Sequence, residues 1–304
     1  MGKFKTSIGG QAVIEGIAMR GPEKTCLAIR LPDGSIKTET TATKKNPYLH
    51  IPVLRGVIAL FLSLESGYRY LMQSSEISFP DMEEDAFDRW IKKHFGESNK
   101  VIPAIAAVLA GFLSIAMFVL LPTVITGILA KLLPFLFPIR TVIESLLKMS
   151  IFVVYIYFSS KLSDIRRVFQ YHGAEHKTIF CYENQEPLTV ENVRKYGRFH
   201  PRCGTSFTVI TLLISIFIFS FVPWTSTILR VIYKLLCLPI IMGISYEFIR
   251  YAGAHDNIIS KLLSAPGLWI QRLTVFEPDD GMIEVAIASL QEVIPDRPES
   301  GDSV

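Results

Sequence analysis

Two long stretches of the chain contain no charged side chain, and they set the first expectation for its fold. They cover residues 101–130 and 203–229. Each is longer than the roughly 20 apolar residues with which an α-helix crosses the hydrocarbon core of a bilayer. The pattern therefore predicts an α-helical integral membrane protein and excludes a simple soluble enzyme.

The distribution of apolar and charged positions predicts about four transmembrane helices. Their expected ranges are 101–122, 141–160, 205–222 and 235–250. The second helix contains Glu144 and Lys148, which lie four residues apart with the acid first, the favourable order for a helical ion pair. The fourth helix contains Glu247 close to its end.

Three regions outside these helices have different patterns. Residues 1–50 are Gly-rich, with strand-like runs on both sides of a Pro-Asp-Gly turn, and predict a small β-rich region. Residues 51–100 predict an interfacial or re-entrant helix and a charged connector, because their apolar part is repeatedly interrupted by charges. Residues 251–304 predict interfacial and amphipathic helices, with Trp269 at headgroup depth, and a disordered tail.

Composition and charge extend the membrane prediction to its topology. Only 19% of the residues are charged, against about 25% in soluble proteins. Of the 31 Lys and Arg residues, 26 lie in 1–100, 161–204 and 250–304, which four spans place on one side. The positive-inside rule therefore predicts that both termini and residues 161–204 are cytoplasmic. The net charge of +3 and the absence of long basic runs argue against a nucleic-acid partner.

Most of the candidate chemistry lies in residues 161–204, which we expect to form a cytoplasmic His/Cys-containing loop. His172-Gly-Ala-Glu175-His176 matches the H-x-x-E-H order of inverzincins. On a helix the two imidazoles lie one turn apart and can bind one divalent metal ion, most simply zinc. Glu175 lies beside the second histidine and would be the catalytic general base toward water.

Further ligand-type residues leave several arrangements open. His200, Cys203 and Cys181 lie nearby in sequence, and four protein ligands would give a structural zinc site where three would give a catalytic one. Glu247 is a candidate third ligand because zincins of this order use a later glutamate. It would alternatively pair with Arg250 or extend to the headgroups. The two motif histidines would alternatively be hydrogen-bonded core residues.

Three longer motifs in this order resemble a known family. They are GGQAVIEGIAMRGP (9–22), YHGAEHKTIFCYE (171–183) and HPRCGTSF (200–207). Together they resemble the YqhQ-like family of uncharacterised bacterial polytopic membrane proteins, described as predicted metal-dependent enzymes. The resemblance covers nearly the whole chain. It implies a multi-pass protein of the bacterial cytoplasmic (inner) membrane, with metal ligands at His172, His176, His200 and Cys203 and with Glu175 beside them.

Three classes of function follow from these expectations. The first is metal-dependent hydrolysis of a peptide or lipid-linked substrate at the cytoplasmic face of the membrane. The second is a non-enzymatic scaffold, assembly or regulatory factor, with a structural zinc site and a partner membrane protein. The third is a small transporter or channel in which Glu144, Lys148 and Glu247 form an intramembrane polar path. Membrane lipids are expected partners in all three.

Overall fold

A computed structural model of the chain describes residues 4–43, 50–79, 101–255 and 257–295. The described part is mostly helical, with one small sheet. The chain divides into two compact units. One comprises Met1–Ser78, Ile156–Ile214 and Pro239–Val304, and the other comprises Phe79–Tyr155 and Ser215–Leu238. The predicted charged connector, for the most part, and the predicted disordered tail lie outside the described residues.

The N-terminal region forms a four-stranded antiparallel sheet in the order β1-β2-β3-β4. The strands are β1 Gly9–Val13, β2 Gly16–Arg20, β3 Lys24–Arg30 and β4 Ile36–Ala42. Between β3 and β4, Gly34 adopts a φ of 85°, and the Asp33 carboxylate accepts a hydrogen bond from the Ser35 amide. Glycine adopts positive φ without steric cost, so this turn fixes the hairpin. The predicted small β region is confirmed.

Helices make up most of the remaining described chain. They are α1 Leu54–Ser78, α2 Val101–Ile115, α3 Leu121–Leu132, α4 Arg140–Ser159, α5 Ser163–Glu183, α6 Val190–Arg194, α7 Gly204–Ser220, α8 Thr227–Ala254, α9 Ile258–Thr274 and α10 Asp280–Gln291. A π-helical turn joins α2 to α3, and a 3-10 turn precedes α4. The predicted loop at 161–204 is therefore largely helical, since α5 and α6 occupy more than half of it.

Three described helical stretches are long and apolar enough to cross a membrane. They are Ile105–Leu132, Pro134–Ser159 and Thr227–Ala254. Helix α7 is apolar but has 17 residues, which span about 25 Å where a hydrocarbon core needs about 30 Å. The structure thus supports a helical membrane protein, while the predicted number of four spans is not confirmed.

The second unit contains a buried cluster of charged side chains. The Glu144 carboxylate pairs with Arg230, at 2.9 Å, and with Lys234. Lys148, which the sequence predicted as the partner of Glu144, instead donates a hydrogen bond to the Ser215 hydroxyl at 2.8 Å. The predicted helical ion pair is therefore replaced by pairs between different helices, because the partners of a buried charge are set by tertiary packing.

The first unit places its sheet between helices. One face packs on α5 and α10 through side chains that include Met19, Cys26, Tyr171, Ile283 and Leu290. The other face packs on α1 through side chains that include Ala18, Leu27, Tyr70 and Ile77. Helix α10, which lies in the 251–304 range predicted to form interfacial and amphipathic helices, has its apolar face in this core. This core holds α5, which carries the H-x-x-E-H motif, in a fixed position.

An ion pair also joins the sheet to α5, and its removal is expected to have a small, pH-dependent effect. Arg167 donates to both carboxylate oxygens of Glu15, at 2.5 and 2.6 Å, and holds the pKa of Glu15 below its ordinary value. Glu15→Gln should lower the free energy of unfolding by less than about 1 kcal/mol at pH 7, because Arg167 is half-exposed.

The pH dependence of the stability lost in Glu15→Gln tests the direction of the Glu15 pKa shift. A carboxylate with a lowered folded-state pKa contributes stability above its unfolded pKa and loses it as the pH falls through the folded value. Denaturation in detergent micelles at pH 7 and in acid should therefore show the two proteins converging at low pH. A difference that grows with acidification would contradict the pairing.

Candidate metal site

Three of the residues predicted as metal ligands come together in the first unit. His172 and His176 lie one turn apart on α5, and Cys203 immediately precedes α7. Their ligand atoms all lie within 4.8 Å of one another, and His172 Nε2 is 3.0 Å from the Cys203 sulfur. The motif histidines and the following cysteine therefore form one donor cluster in the described structure.

Backbone carbonyl groups orient both imidazoles of this cluster. His172 Nδ1 lies 3.1 Å from the Thr274 carbonyl oxygen, and His176 Nδ1 lies 2.5 Å from that of Arg198. A carbonyl oxygen only accepts, so each Nδ1 carries the proton and each Nε2 presents its lone pair. Metal-binding histidines are oriented in the same way, by a second hydrogen bond from the other ring nitrogen.

The sulfur of Cys203 is also oriented for ligation. Thr205 donates to it through its amide, at 3.5 Å, and through its hydroxyl, at 3.2 Å. An ion bound tetrahedrally by nitrogen and sulfur needs donors about 3.4–3.6 Å apart. Small side-chain shifts would bring the donors of His172, His176 and Cys203 to those separations, so the cluster fits a zinc ion.

Glu175 lies beside the cluster in an almost fully buried position. Its carboxylate accepts a hydrogen bond from the Gly10 amide of β1 at 3.0 Å. A Cβ atom at Gly10 would lie 3.0 Å from the Glu175 side chain and 2.8 Å from the Met19 sulfur, so the close approach of β1 favours glycine. Burial raises the pKa of Glu175, which brings this carboxyl closer to the range of a general base at neutral pH.

A cavity of about 250 Å³ adjoins the three donors. Its wall includes Glu175, His200, Arg202 and the N-terminal segment 6–10, in addition to the donors themselves. The volume is smaller than that of a typical drug-sized site and suits a small group or one end of a larger ligand. The donor cluster therefore faces space in which a substrate atom could lie.

His200 was also predicted as a ligand, but the structure places it in the wall of the cavity. Its Nδ1 accepts a hydrogen bond from the Arg202 amide at 3.3 Å, and burial lowers its pKa to about 4. Gln271 of α9 holds the His200 backbone with hydrogen bonds of 2.9 and 2.7 Å. His200 is therefore a neutral imidazole, and it lies outside the group of converging donors.

Glu247 and Cys181 lie in other surroundings. The Glu247 carboxylate is held by the Arg55 guanidinium, at 2.7 Å from Nε, and by the Val53 amide at 3.1 Å. The predicted alternative partner Arg250 is thus replaced by a residue from α1. The buried thiol of Cys181 faces the carbonyl oxygens of Glu186 and Pro187, at 3.9 and 3.7 Å, and lies outside the group of converging donors. We therefore leave both residues out of the ligand set.

Several residues that support the site were not found from the sequence. Arg202 bonds to the Glu183 carboxylate and, at 2.7 Å, to the Thr6 carbonyl oxygen, while Glu183 accepts from the Thr6 amide at 3.0 Å. These contacts fasten the N-terminal segment against the end of α5. Glu183 and Thr6 are 177 residues apart in sequence, so no local pattern could have indicated them.

Gly173, the second residue of the H-x-x-E-H motif, has a packing role. A Cβ atom at this position would overlap the carbonyl oxygen of Phe276. The amide of Phe276 in turn donates to the Phe169 carbonyl oxygen at 2.9 Å. The glycine therefore lets α5 contact the backbone that follows α9, which brings the Thr274 carbonyl group to His172.

Comparison with known proteins identifies related sequences. Residues 51–296 match a family described as "Protein of unknown function (DUF1385)". The chain is also 40% identical, over 301 residues, to "Uncharacterized protein YqhQ" of Bacillus subtilis (strain 168). This alignment covers 96% of the chain and 93% of the relative. No solved structure matches. The resemblance expected from the motifs is confirmed, whereas neither description names a metal or a reaction.

Proposed function

The chain belongs to the DUF1385 family, and we propose that it is a hydrolase of the bacterial cytoplasmic membrane that binds one zinc ion through His172, His176 and Cys203. The substrate class is a peptide or lipid-linked molecule, and Glu175 is the general base. The observation that carries this proposal is the convergence of the three donors beside a cavity that also contains a buried carboxyl group.

The donor set supports zinc and an open coordination position. Imidazole nitrogen and thiolate sulfur are ligands of zinc, whereas magnesium and calcium prefer oxygen. Catalytic zinc sites use three protein ligands and keep a fourth position for water or substrate. Glu247 is held by Arg55, and the His200 ring, whose Nδ1 accepts from the Arg202 amide, lies outside the group of converging donors.

The residues of the cavity have separate tasks in this proposal. A bound zinc ion supplies Lewis-acid activation of water and of the substrate oxygen. Glu175 takes a proton from the attacking water and returns it to the leaving group, while the water oxygen bonds to the electrophilic atom of the substrate. The Gly10 amide holds the carboxylate in place during both transfers.

Metal analysis of the purified protein tests the site. The wild-type protein in detergent should contain about one equivalent of zinc, as expected for a single site with three protein ligands. Cys203→Ser and His172→Ala should reduce this to a small fraction. Cys181→Ser is the matched control, because it changes a buried cysteine outside the cluster, and it should retain zinc. Equal, substoichiometric metal in all four proteins would refute the proposal.

One further variant tests that Glu175 is not a ligand, and one measurement distinguishes a catalytic site from a structural one. Glu175→Gln should retain zinc, since Glu175 is not a donor. In the cobalt-substituted protein, acetohydroxamate should change the visible absorption spectrum if one coordination position is open.

The alternative is a membrane scaffold or regulatory factor with a structural zinc site. It is favoured by the burial of two of the donors, since His176 is 2% exposed and Cys203 is 8% exposed. A full equivalent of zinc with a spectrum that does not respond to acetohydroxamate would support this alternative and refute hydrolysis.

A further inference from the structure

Helix α9 exposes several large apolar side chains and buries uncharged polar ones, the reverse of a helix on a soluble protein. Its outer face includes Ile258, Leu262 and Trp269, which are 82%, 75% and 54% exposed. Its inner face consists of Ser260, Ser264, Gly267, Ile270, Gln271 and Thr274. Helix α9 therefore presents an apolar face to whatever surrounds the first unit.

The inner face of α9 packs against the donor cluster and its supporting residues. Gln271 holds the backbone of His200, and the Thr274 carbonyl group orients His172. Gly267 lies against Ser206 at the start of α7, with no room for a Cβ atom. The helix therefore cannot rotate to bury its apolar side without dismantling the donor cluster, and the outward apolar face is a fixed feature.

We propose that α9 lies in the plane of the bilayer surface, with its apolar face in the boundary between headgroups and acyl chains. Three arguments favour lipid over another protein. The helix begins four residues after Ala254, where a stretch long and apolar enough to cross a membrane ends. Exposed Lys261 and Arg272 provide positive charge suited to anionic headgroups. Trp269 is the residue type that concentrates at this depth.

This placement narrows the substrate class, and that step rests on the proposed function. One helix carries the lipid contact on one face and the outer hydrogen bonds of the donor cluster on the other. A helix is about 10 Å across, so the cluster lies about one helix diameter from the lipid. The substrate is then one that is held at the membrane, either by a lipid anchor or as the exposed end of a membrane-embedded segment.

Fluorescence of Trp269 in vesicles tests the lipid contact. The protein with Trp90→Phe and Trp224→Phe would be reconstituted in phosphatidylcholine and phosphatidylglycerol vesicles, with and without lipids brominated near the headgroup end of the acyl chain. We expect the brominated lipids to reduce the emission by at least about twofold and aqueous iodide to have little effect, as for an interfacial Trp. The matched control moves the single Trp to the exposed strand position Lys37 (Lys37→Trp with Trp269→Phe), where iodide but not brominated lipid should quench.

Each outcome decides the proposal. Iodide quenching of Trp269 without lipid quenching would overturn it. So would protection from both quenchers together with cross-linking between copies, which would show that a second chain covers this face. If the two Phe substitutions impair folding, the lipid-quenched fraction lost on Trp269→Phe alone gives the same information. The measurement is repeated on zinc-free protein, so that the quenching of Trp269 by lipid can be interpreted even if the protein binds no zinc.

Discussion

Replacement of Glu144 by alanine is expected to lower the free energy of unfolding by about 3–5 kcal/mol. The Glu144 carboxylate is buried, accepts from the Thr123 hydroxyl at 2.6 Å, and pairs with Arg230 and Lys234. Its removal leaves two cations without their anionic partner in a low-dielectric setting, where an unpaired charge is most costly. Unfolding of the reconstituted protein by denaturant, followed by helical circular dichroism, measures the loss.

Two further variants make this expectation specific. Ser145→Ala changes the next residue of α4 and removes one hydrogen bond to the Thr141 carbonyl oxygen, so it should cost about 1 kcal/mol or less. Replacing Glu144, Arg230 and Lys234 together by apolar residues of similar size should recover most of the lost stability. A triple variant as unstable as Glu144→Ala would mean that packing, and not the unpaired charge, determines the effect.

Gly173→Ala is expected to damage both stability and metal binding. A methyl group there meets the backbone oxygen of Phe276, which cannot move aside as a flexible side chain would. We expect a loss of about 2–4 kcal/mol in the free energy of unfolding. Displacement of the Thr274 carbonyl group from His172 should also weaken zinc binding by about 10- to 100-fold, the usual effect of losing such an outer hydrogen bond.

Competition with a chelator of known affinity measures the second effect, and denaturant unfolding of the apoprotein measures the first. The matched control is Gly111→Ala in α2, where a Cβ atom would have no neighbour within 4 Å. That change should alter stability by less than about 1 kcal/mol and leave zinc affinity unchanged. Equal effects of the two substitutions would show that Gly173 is not a contact point.

The features predicted well from the sequence are those encoded within one or two turns of chain. The Pro-Asp-Gly segment predicted its hairpin because Gly34 provides the positive φ that the turn needs. The spacing of His172 and His176 predicted their joint orientation because i and i+4 share a helix face. Cys203 was identified by donor type, and its place beside these histidines depends on the packing of α7.

The features that the sequence did not predict are those that depend on contacts between residues far apart in the chain. Glu247 finds its partner 192 residues earlier, in Arg55, and the Glu175 carboxylate accepts from Gly10, 165 residues away. The C-terminal pattern predicted an amphipathic helix, but only the structure shows that the apolar face of α10 packs in the core of the first unit. Hydropathy identifies an apolar helix face, but it does not distinguish a face buried in a protein core from one that contacts lipid.

The position of β1 has a practical consequence for fragments of this protein. The region matched by the family begins at residue 51, whereas Gly10 and Thr6, which support Glu175 and Arg202, lie before it. A fragment trimmed to the matched boundaries would lose an entire wall of the cavity and the sheet that α5 and α10 cover. Fragments and fusion proteins should therefore include the first strand, and any fusion partner should be attached away from it.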